Sequence, residues 1–191
     1  ETIVTGNGSA CVISFQTAHI KKRQRLFTNS GCASMGYGFP AALGVAVEKE
    51  GGRVLCLDGD GSFQMNIQEL QTLVHNQLNL KLFILNNNGY HSIRQTQLNL
   101  FKQRPLIGVS KESGISFPNL EKIAKAYALP YIKIDHIHKA ASQIHKVLET
   151  KGPVLCEVFL DTTQNFEPKL SSRVLPDGQI VSPVLDDMFP F

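Results

Sequence analysis

Two runs of four consecutive apolar residues, Val54-Leu55-Cys56-Leu57 and Leu82-Phe83-Ile84-Leu85, confine this chain to a narrow set of folds. A strand with one face in water alternates apolar and polar residues. A strand apolar at every position is covered on both faces, as in a parallel sheet between two helix layers. Six such β-rich runs are expected, at residues 2–4, 26–28, 53–57, 81–85, 131–134 and 154–160. Helical patterns lie between them. Residues 39–48 are Ala-rich after Pro40, and residues 67–78 place Ile67, Leu70, Leu73 and Val74 at helical spacing. Residues 120–128 follow a Pro118-Asn119 start, and residues 139–149 carry apolar side chains at 140, 141, 144, 147 and 148. This alternation predicts a doubly wound α/β domain: a mostly parallel six-stranded sheet with helices on both faces.

An apolar fraction of 42% over 191 residues suffices for a single core. The domain is expected at residues 1–161, followed by an extended tail at 162–191. That tail holds Pro168, Pro176, Pro183 and Pro190 and is expected to wrap the domain without regular structure. Residues 101–117, with Pro105, Gly108 and Gly114, read equally as a mobile active-site segment or a surface loop. The formal charge of +3 is too mild to argue for nucleic acid, and the short run Lys21-Lys22-Arg23-Gln24-Arg25 reads as a solvated loop or helix end. No apolar run approaches the roughly 20 residues that a membrane span needs. The first residues, Glu1-Thr2-Ile3-Val4-Thr5, lack the regions of a signal peptide. Cys11, Cys32, Cys56 and Cys156 form no C-x-x-C pair, so buried reduced thiols and a cytoplasmic location are expected, and a zinc site is not. The chain begins without Met, directly in a strand-like segment, which is expected of a piece of a longer protein.

The third strand runs into Asp58-Gly59-Asp60-Gly61-Ser62-Phe63, and a helix follows. Ligands of open parallel sheets bind beyond the carboxyl ends of the strands. Glycines there admit a ligand to the backbone, a helix start offers free N–H groups, and Asp60 adds a hard oxygen ligand. The fourth strand runs into Asn86-Asn87-Asn88-Gly89-Tyr90. If the two strands are neighbours, Asp60 and Asn87 face one cation although 27 residues separate them. Either motif alone reads more simply as a turn or a strand-end cap. The pair, each after a strand and with one helix between, reads as a site for a metal-bound phosphate.

Gly59-Asp60-Gly61-Ser62 followed at this spacing by Asn86-Asn87 resembles the diphosphate-binding motif of thiamine diphosphate enzymes. The run Gly59-Asp60-Gly61-Ser62-Phe63-Gln64-Met65-Asn66-Ile67-Gln68-Glu69-Leu70 is similar to the acetolactate synthase branch of that family. So is Met35-Gly36-Tyr37-Gly38-Phe39-Pro40-Ala41-Ala42-Leu43-Gly44. The resemblance implies Mg²⁺ held by Asp60, Asn87 and the Gly89 carbonyl. It implies diphosphate contacts from Asn7 and Gly8, Gly59, Gly61, Ser62 and Tyr90. Met35 matches the apolar residue that props the cofactor into a bent shape, where its amino group lies against the reactive carbon. The alternative for Met35 is ordinary core packing. The Ala33 carbonyl matches the acceptor that orients that amino group.

Several features depart from the family pattern. The activating glutamate of the family belongs to a separate pyrimidine-binding domain, usually on a partner subunit, and no acid of this chain sits in that context. The resemblance therefore implies a C-terminal domain, inactive alone, of a homodimeric or homotetrameric enzyme. Ser9-Ala10 stands where acetolactate synthases carry Gln-His, and Thr96 where they carry a substrate-selecting tryptophan. Ile93 stands where yeast-type pyruvate decarboxylases carry a glutamate. His91 and Arg94 follow the motif instead, as a proton relay and a clamp for a substrate carboxylate or phosphate, or else as a capping His and an exposed helix Arg. His75, His136, His138 and His145 read as surface residues.

The expected function is decarboxylation of a 2-keto acid with transfer of the enamine to a second carbonyl. A decarboxylase or other lyase of the same family stands as the alternative. So do a non-catalytic domain that keeps the fold and, without a P-loop lysine motif to support it, a nucleotide binder.

Overall fold

The computed structural model describes residues 1–101 and 104–188. Residues 102 and 103 of the 101–117 segment, and 189–191 with the tail's Pro190, lie outside the described residues. Six strands form one sheet: β1 (Thr2–Thr5), β2 (Arg25–Phe27), β3 (Val54–Gly59), β4 (Leu80–Asn86), β5 (Tyr131–Ile134) and β6 (Val154–Phe159). Their order is β2-β1-β3-β4-β6-β5, and every neighbouring pair is parallel. The chain moves outward from β1 to β2, then returns across β1 to β3. That reversal opens a crevice at the carboxyl ends of β1 and β3, where ligands bind in such sheets.

The helices are α1 (Ser9–Thr17), α2 (Gly38–Glu48), α3 (Asp60–Gln64), α4 (Leu70–His75), α5 (His91–Leu100), α6 (Leu120–Ala126) and α7 (Ile137–Glu149). One sheet face buries Val4, Cys56, Leu82, Ile84 and Leu155 against α2, α4 and α6, with Phe39 and Phe63 in tilted contact at 5.4 Å. The other face buries Phe83, Ile132, Ile134, Val154 and Cys156, with Val147 of α7 among them. Covering both faces removes the sheet's apolar area from water, which is why its strands read as unbroken apolar runs.

Three expectations need correction. The 67–78 pattern divides into a 3₁₀ turn at Ile67–Glu69 and α4, which stops at His75 before Gln77 turns left-handed at φ 50°. The tail is not without regular structure: β7 (Arg173–Val174) and β8 (Ile180–Val181) form an antiparallel hairpin. Its turn is Pro176-Asp177-Gly178, with Gly178 at φ 86° and the Asp177 carboxylate accepting the Gln179 N–H at 2.9 Å. Proline, aspartate and glycine each favour such a turn for their own conformational reason. Finally, Cys56 and Cys156 are buried, but Cys11 is half-buried and Cys32 exposed, because both lie in segments over the sheet rather than in it. The basic run from Lys21 is solvated, in the connection leading into β2. Among the described residues no helix is long and apolar enough to cross a membrane.

The amino edge of the sheet, opposite the crevice, holds a buried lysine. Lys81 enters β4 with 1% of its surface exposed. Its Nζ donates to the Thr150 carbonyl at 2.5 Å and the Gly152 carbonyl at 2.6 Å, just past the end of α7. A cation suits that helix end, and the two carbonyls replace lost water. Burial first, and then Arg53, hold its ammonium below the usual lysine range. Lys81→Met should lower unfolding free energy by about 2 kcal/mol, since two acceptors lose a charged donor. Denaturant unfolding checks this. Ligand binding at the opposite edge should be unchanged.

Candidate functional site

β3 and β4 pair with Gly59 opposite Leu85, so the residues that follow each strand meet. The Asp60 Oδ2 accepts the Gly89 N–H at 3.0 Å, and Oδ1 accepts the Gly61 N–H at 2.9 Å. Asn87 donates its Nδ2 to the Ser9 hydroxyl at 3.0 Å. With the amide in this orientation, Asn87 Oδ1 is buried with no partner. Gly89 closes the arrangement at φ 142°, and a Cβ there would lie 1.8 Å from the Val109 carbonyl oxygen. Only glycine fits.

These groups surround a small cavity of about 30 Å³, room enough for at least one water. Asn7, Gly8, Met35, Gly59, Asp60, Gly61, Ser62, Asn87, Gly89, Tyr90 and His91 all line it, together with Ser9 and Ser92. Ala33 and Arg94 do not. Among the described residues no three His, Cys, Asp or Glu side chains come together as metal ligands. The donors present are instead one carboxylate, one unpartnered amide oxygen and nearby backbone. That set suits a hard cation that completes its shell with phosphate and water.

Two carboxylates here are short of positive charge. Burial pushes Asp60 up to about 6, against the N–H groups of Gly89 and Gly61 and the Arg94 charge that pull it down. Burial also pushes Asp58 up to about 6, against the Ser62 hydroxyl and the Gly59 and Phe39 N–H groups. Asp58 was not singled out from sequence, where it reads as the polar end of a strand. β3 in fact continues through it to Gly59. The signal lay in glycines: a Cβ on Gly6 would lie 1.8 Å from Asp58 Oδ1, and one on Gly38 would lie 2.9 Å from Oδ2. Asp58 thereby joins the β1 loop, the start of α2 and Ser62.

The loop before α2 is tethered to the cavity. Asn7 Nδ2 donates to the Ser34 carbonyl at 2.6 Å, the Gly36 N–H to the Ser62 hydroxyl at 2.9 Å, and Asn66 Nδ2 to the Gly36 carbonyl at 2.7 Å. Between these ties Met35 is 38% exposed at the cavity, which excludes ordinary core packing for it. Ala33 is exposed and left-handed at φ 50°, a conformation that is uncommon outside glycine. The Ser62 hydroxyl accepts the Gly36 N–H, so both its own hydrogen and its backbone N–H remain to offer a ligand.

His91 and Arg94 are both buried, so neither is a surface cap or an exposed helix residue. His91 Nε2 lies 2.9 Å from Gln95 Nε2 and Nδ1 lies 3.4 Å from an Arg94 terminal nitrogen; Phe166 packs edge-on at 5.2 Å. Burial holds the imidazole below the usual histidine range, so it is neutral at pH 7. Arg94 turns its terminal nitrogens to the carbonyls of Asn87, Asn88, Val109 and Thr162 at 3.1–3.4 Å. To clamp a substrate carboxylate or phosphate it would have to release these carbonyls. The 101–117 segment joins that wall: Val109 and Ser110 are buried, and Val109 accepts the Tyr90 N–H at 3.0 Å. Ile93 and Thr96 are exposed on α5. His75, His136, His138 and His145 are exposed and lie outside the cavity lining.

A family model described as "Thiamine pyrophosphate enzyme, C-terminal TPP binding domain" matches residues 6–158. The chain is 32% identical over 173 residues to acetolactate synthase 2, chloroplastic, of Nicotiana tabacum, covering 89% of this chain and 26% of that protein. It is 32% identical over 165 residues to the large subunit of acetolactate synthase isozyme 2 of Escherichia coli K12, covering 86% and 28%. It is 32% identical over 144 residues to the acetolactate synthase large subunit of Cyanidium caldarium, covering 75% and 24%. The chain thus spans about a quarter of the length of the curated relatives it matches.

The raised carboxylates set the sign of a pH effect. Both bind protons more readily folded, near 6, than unfolded, near 3.8. Stability from them is full below the unfolded value and is lost as pH rises through 6. The metal-free chain should therefore gain about 1 kcal/mol per carboxylate between pH 7 and pH 5. Denaturant unfolding at the two pH values measures this, and Asp58→Asn should halve the dependence.

Proposed function

This chain belongs to the thiamine pyrophosphate enzymes, as their C-terminal TPP binding domain, and we propose that it holds the diphosphate of thiamine diphosphate through Mg²⁺ in an enzyme that decarboxylates a 2-keto acid. The observation that carries this reading is the unpartnered Asn87 oxygen beside the Asp60 carboxylate. A buried acceptor without a donor costs stability, and a bound cation removes that cost. Asp60, Asn87 and the Gly89 carbonyl would be the protein ligands.

Asn7, Gly8, Gly59, Gly61, Ser62 and Tyr90 would line the diphosphate. When bound, the cofactor would supply the electron sink that decarboxylation needs. Met35, held at the cavity by its tethered loop, would wedge the bent cofactor, and the Ala33 carbonyl would orient its amino group. His91, neutral at pH 7, can accept a proton beside the site. Arg94 keeps the carbonyls of Asn87 and Asn88 in place.

We assign the second half of the reaction to transfer onto a second carbonyl, as the names of the relatives favour. On this reading the activating glutamate comes from a pyrimidine-binding domain outside this chain, the enzyme is at least a homodimer, and this domain alone does not turn over. The free cysteines agree with a reducing cytoplasm.

Calorimetric titration with thiamine diphosphate should give saturable binding only with Mg²⁺ present, and Asp60→Asn should abolish it. Binding that ignores both Mg²⁺ and Asp60 would contradict the cation reading. With the pyrimidine-binding domain joined, pyruvate should yield acetolactate; acetaldehyde with no acetolactate would assign a decarboxylase instead.

A further inference from the structure

Glu157 lies in the middle of β6, 5% exposed, on the sheet face beneath α6. A carboxylate placed there gives up its hydration, and among the described residues no cation pairs with it. What it has instead are two short hydrogen bonds from neutral donors. Asn86 Nδ2 donates to Oε1 at 2.6 Å, and the Tyr131 hydroxyl donates to Oε2 at 2.5 Å. Burial, and then the contact with Glu157, push the Tyr131 phenol well above its usual range, so it stays a donor.

The carboxylate has a second consequence. With Asn86 Nδ2 held by Glu157, Asn86 Oδ1 faces the other way and accepts the Asn88 N–H at 2.9 Å. A flipped amide would set donor against donor at Asn88 and acceptor against acceptor at Glu157. The Asn86 backbone is pinned as well, its carbonyl accepting the Leu160 N–H at 2.9 Å. Asn88 takes the left-handed conformation, φ 56°. This side-chain-to-backbone turn reverses the chain directly after β4. It presents the Asn87 side chain and the Gly89 N–H toward Asp60. Neither Glu157, Tyr131 nor Asn86 lines the cavity.

We propose that Glu157 is a positioning residue for the cation site: through Asn86 it sets the turn that carries Asn87 and Gly89, and so it sets the affinity for Mg²⁺. This rests on the reading of Asp60 and Asn87 as Mg²⁺ ligands. Partners one step behind metal ligands have this effect because the ligands keep their geometry only while their own neighbours hold them.

The test is the Mg²⁺ dissociation constant of the full chain, by calorimetry at saturating thiamine diphosphate. Asn86→Ala removes the link from Glu157 to the turn and should raise the constant about tenfold. Glu157→Gln should raise it by a smaller factor, because the Tyr131 hydroxyl can turn to accept from the new amide while Oε1 still accepts from Asn86. Tyr131→Phe should raise it less. Val147→Ala, in the core on the opposite sheet face, should lower the melting temperature and leave the constant unchanged. An unaltered constant in Glu157→Gln and Asn86→Ala, with binding lost in Asp60→Asn, would overturn the proposal and spare the cation reading. A constant raised equally by Val147→Ala would overturn it too, as general loosening. A constant unaltered even by Asp60→Asn would overturn both readings. If Glu157→Gln does not fold, Asn86→Ala and Tyr131→Phe decide in the same terms.

Discussion

The hydrogen bond from the Gly89 N–H to Asp60 Oδ2, at 3.0 Å, is the contact on which the site depends. It closes the gap between two strand ends that only a parallel sheet could bring together. β3 and β4 run side by side, and the chain between them crosses over through α4. The bond then constrains what surrounds it. Residue 89 has to be glycine because Val109 stands against it. Asp60 has to turn inward at the start of α3, and Asn87, two residues before Gly89, has to face the same space. Each is a local requirement, and together they define one small polar cavity at the crevice that the strand order opens.

The electrostatics follow from the same enclosure. Asp58 and Asp60 are both buried, and burial makes each of them reluctant to ionise. The one buried arginine beside them directs its terminal nitrogens at backbone carbonyls. The site is therefore short of positive charge and holds one amide oxygen with nothing to accept from. On the proposed reading a divalent cation would answer both deficits at once, and the diphosphate it would carry would supply the oxygens that the protein does not. At the other edge of the sheet, Lys81 solves the inverse problem with two carbonyls of the chain itself.

Much of this was legible in the sequence, for identifiable reasons. The six strands announce themselves because a sheet covered on both faces admits no alternation, and each lies within two residues of its expected bounds. The cavity lining was legible because glycines and amides cluster directly after two of those strands. α1 was not. Its sequence, SACVISFQT, has no apolar stripe, and only Ser9 and Ala10 are buried. Its first residue is what reaches the site, since Ser9 bonds the Asn87 amide. Asp58, Lys81 and Glu157 were also missed: Lys81 and Glu157 are single polar residues among apolar ones, and Asp58 reads as the polar end of its strand. Periodicity reports the run and passes over the exception. The burial of Arg94 was not legible because a helix position does not say whether a long side chain reaches outward or folds back onto the preceding loop. The hairpin in the tail was written in Pro176-Asp177-Gly178 and was obscured by the prolines around it.

The central claim is that the ends of β3 and β4 share one cation. The most direct test is a crystal of this chain grown with thiamine diphosphate and Mn²⁺ in place of Mg²⁺, with diffraction measured at the manganese edge. The account predicts one anomalous peak in the cavity, within about 2.3 Å of an Asp60 carboxylate oxygen and of Asn87 Oδ1. A peak away from these two residues would contradict it. So would a cavity without one, with the cofactor bound.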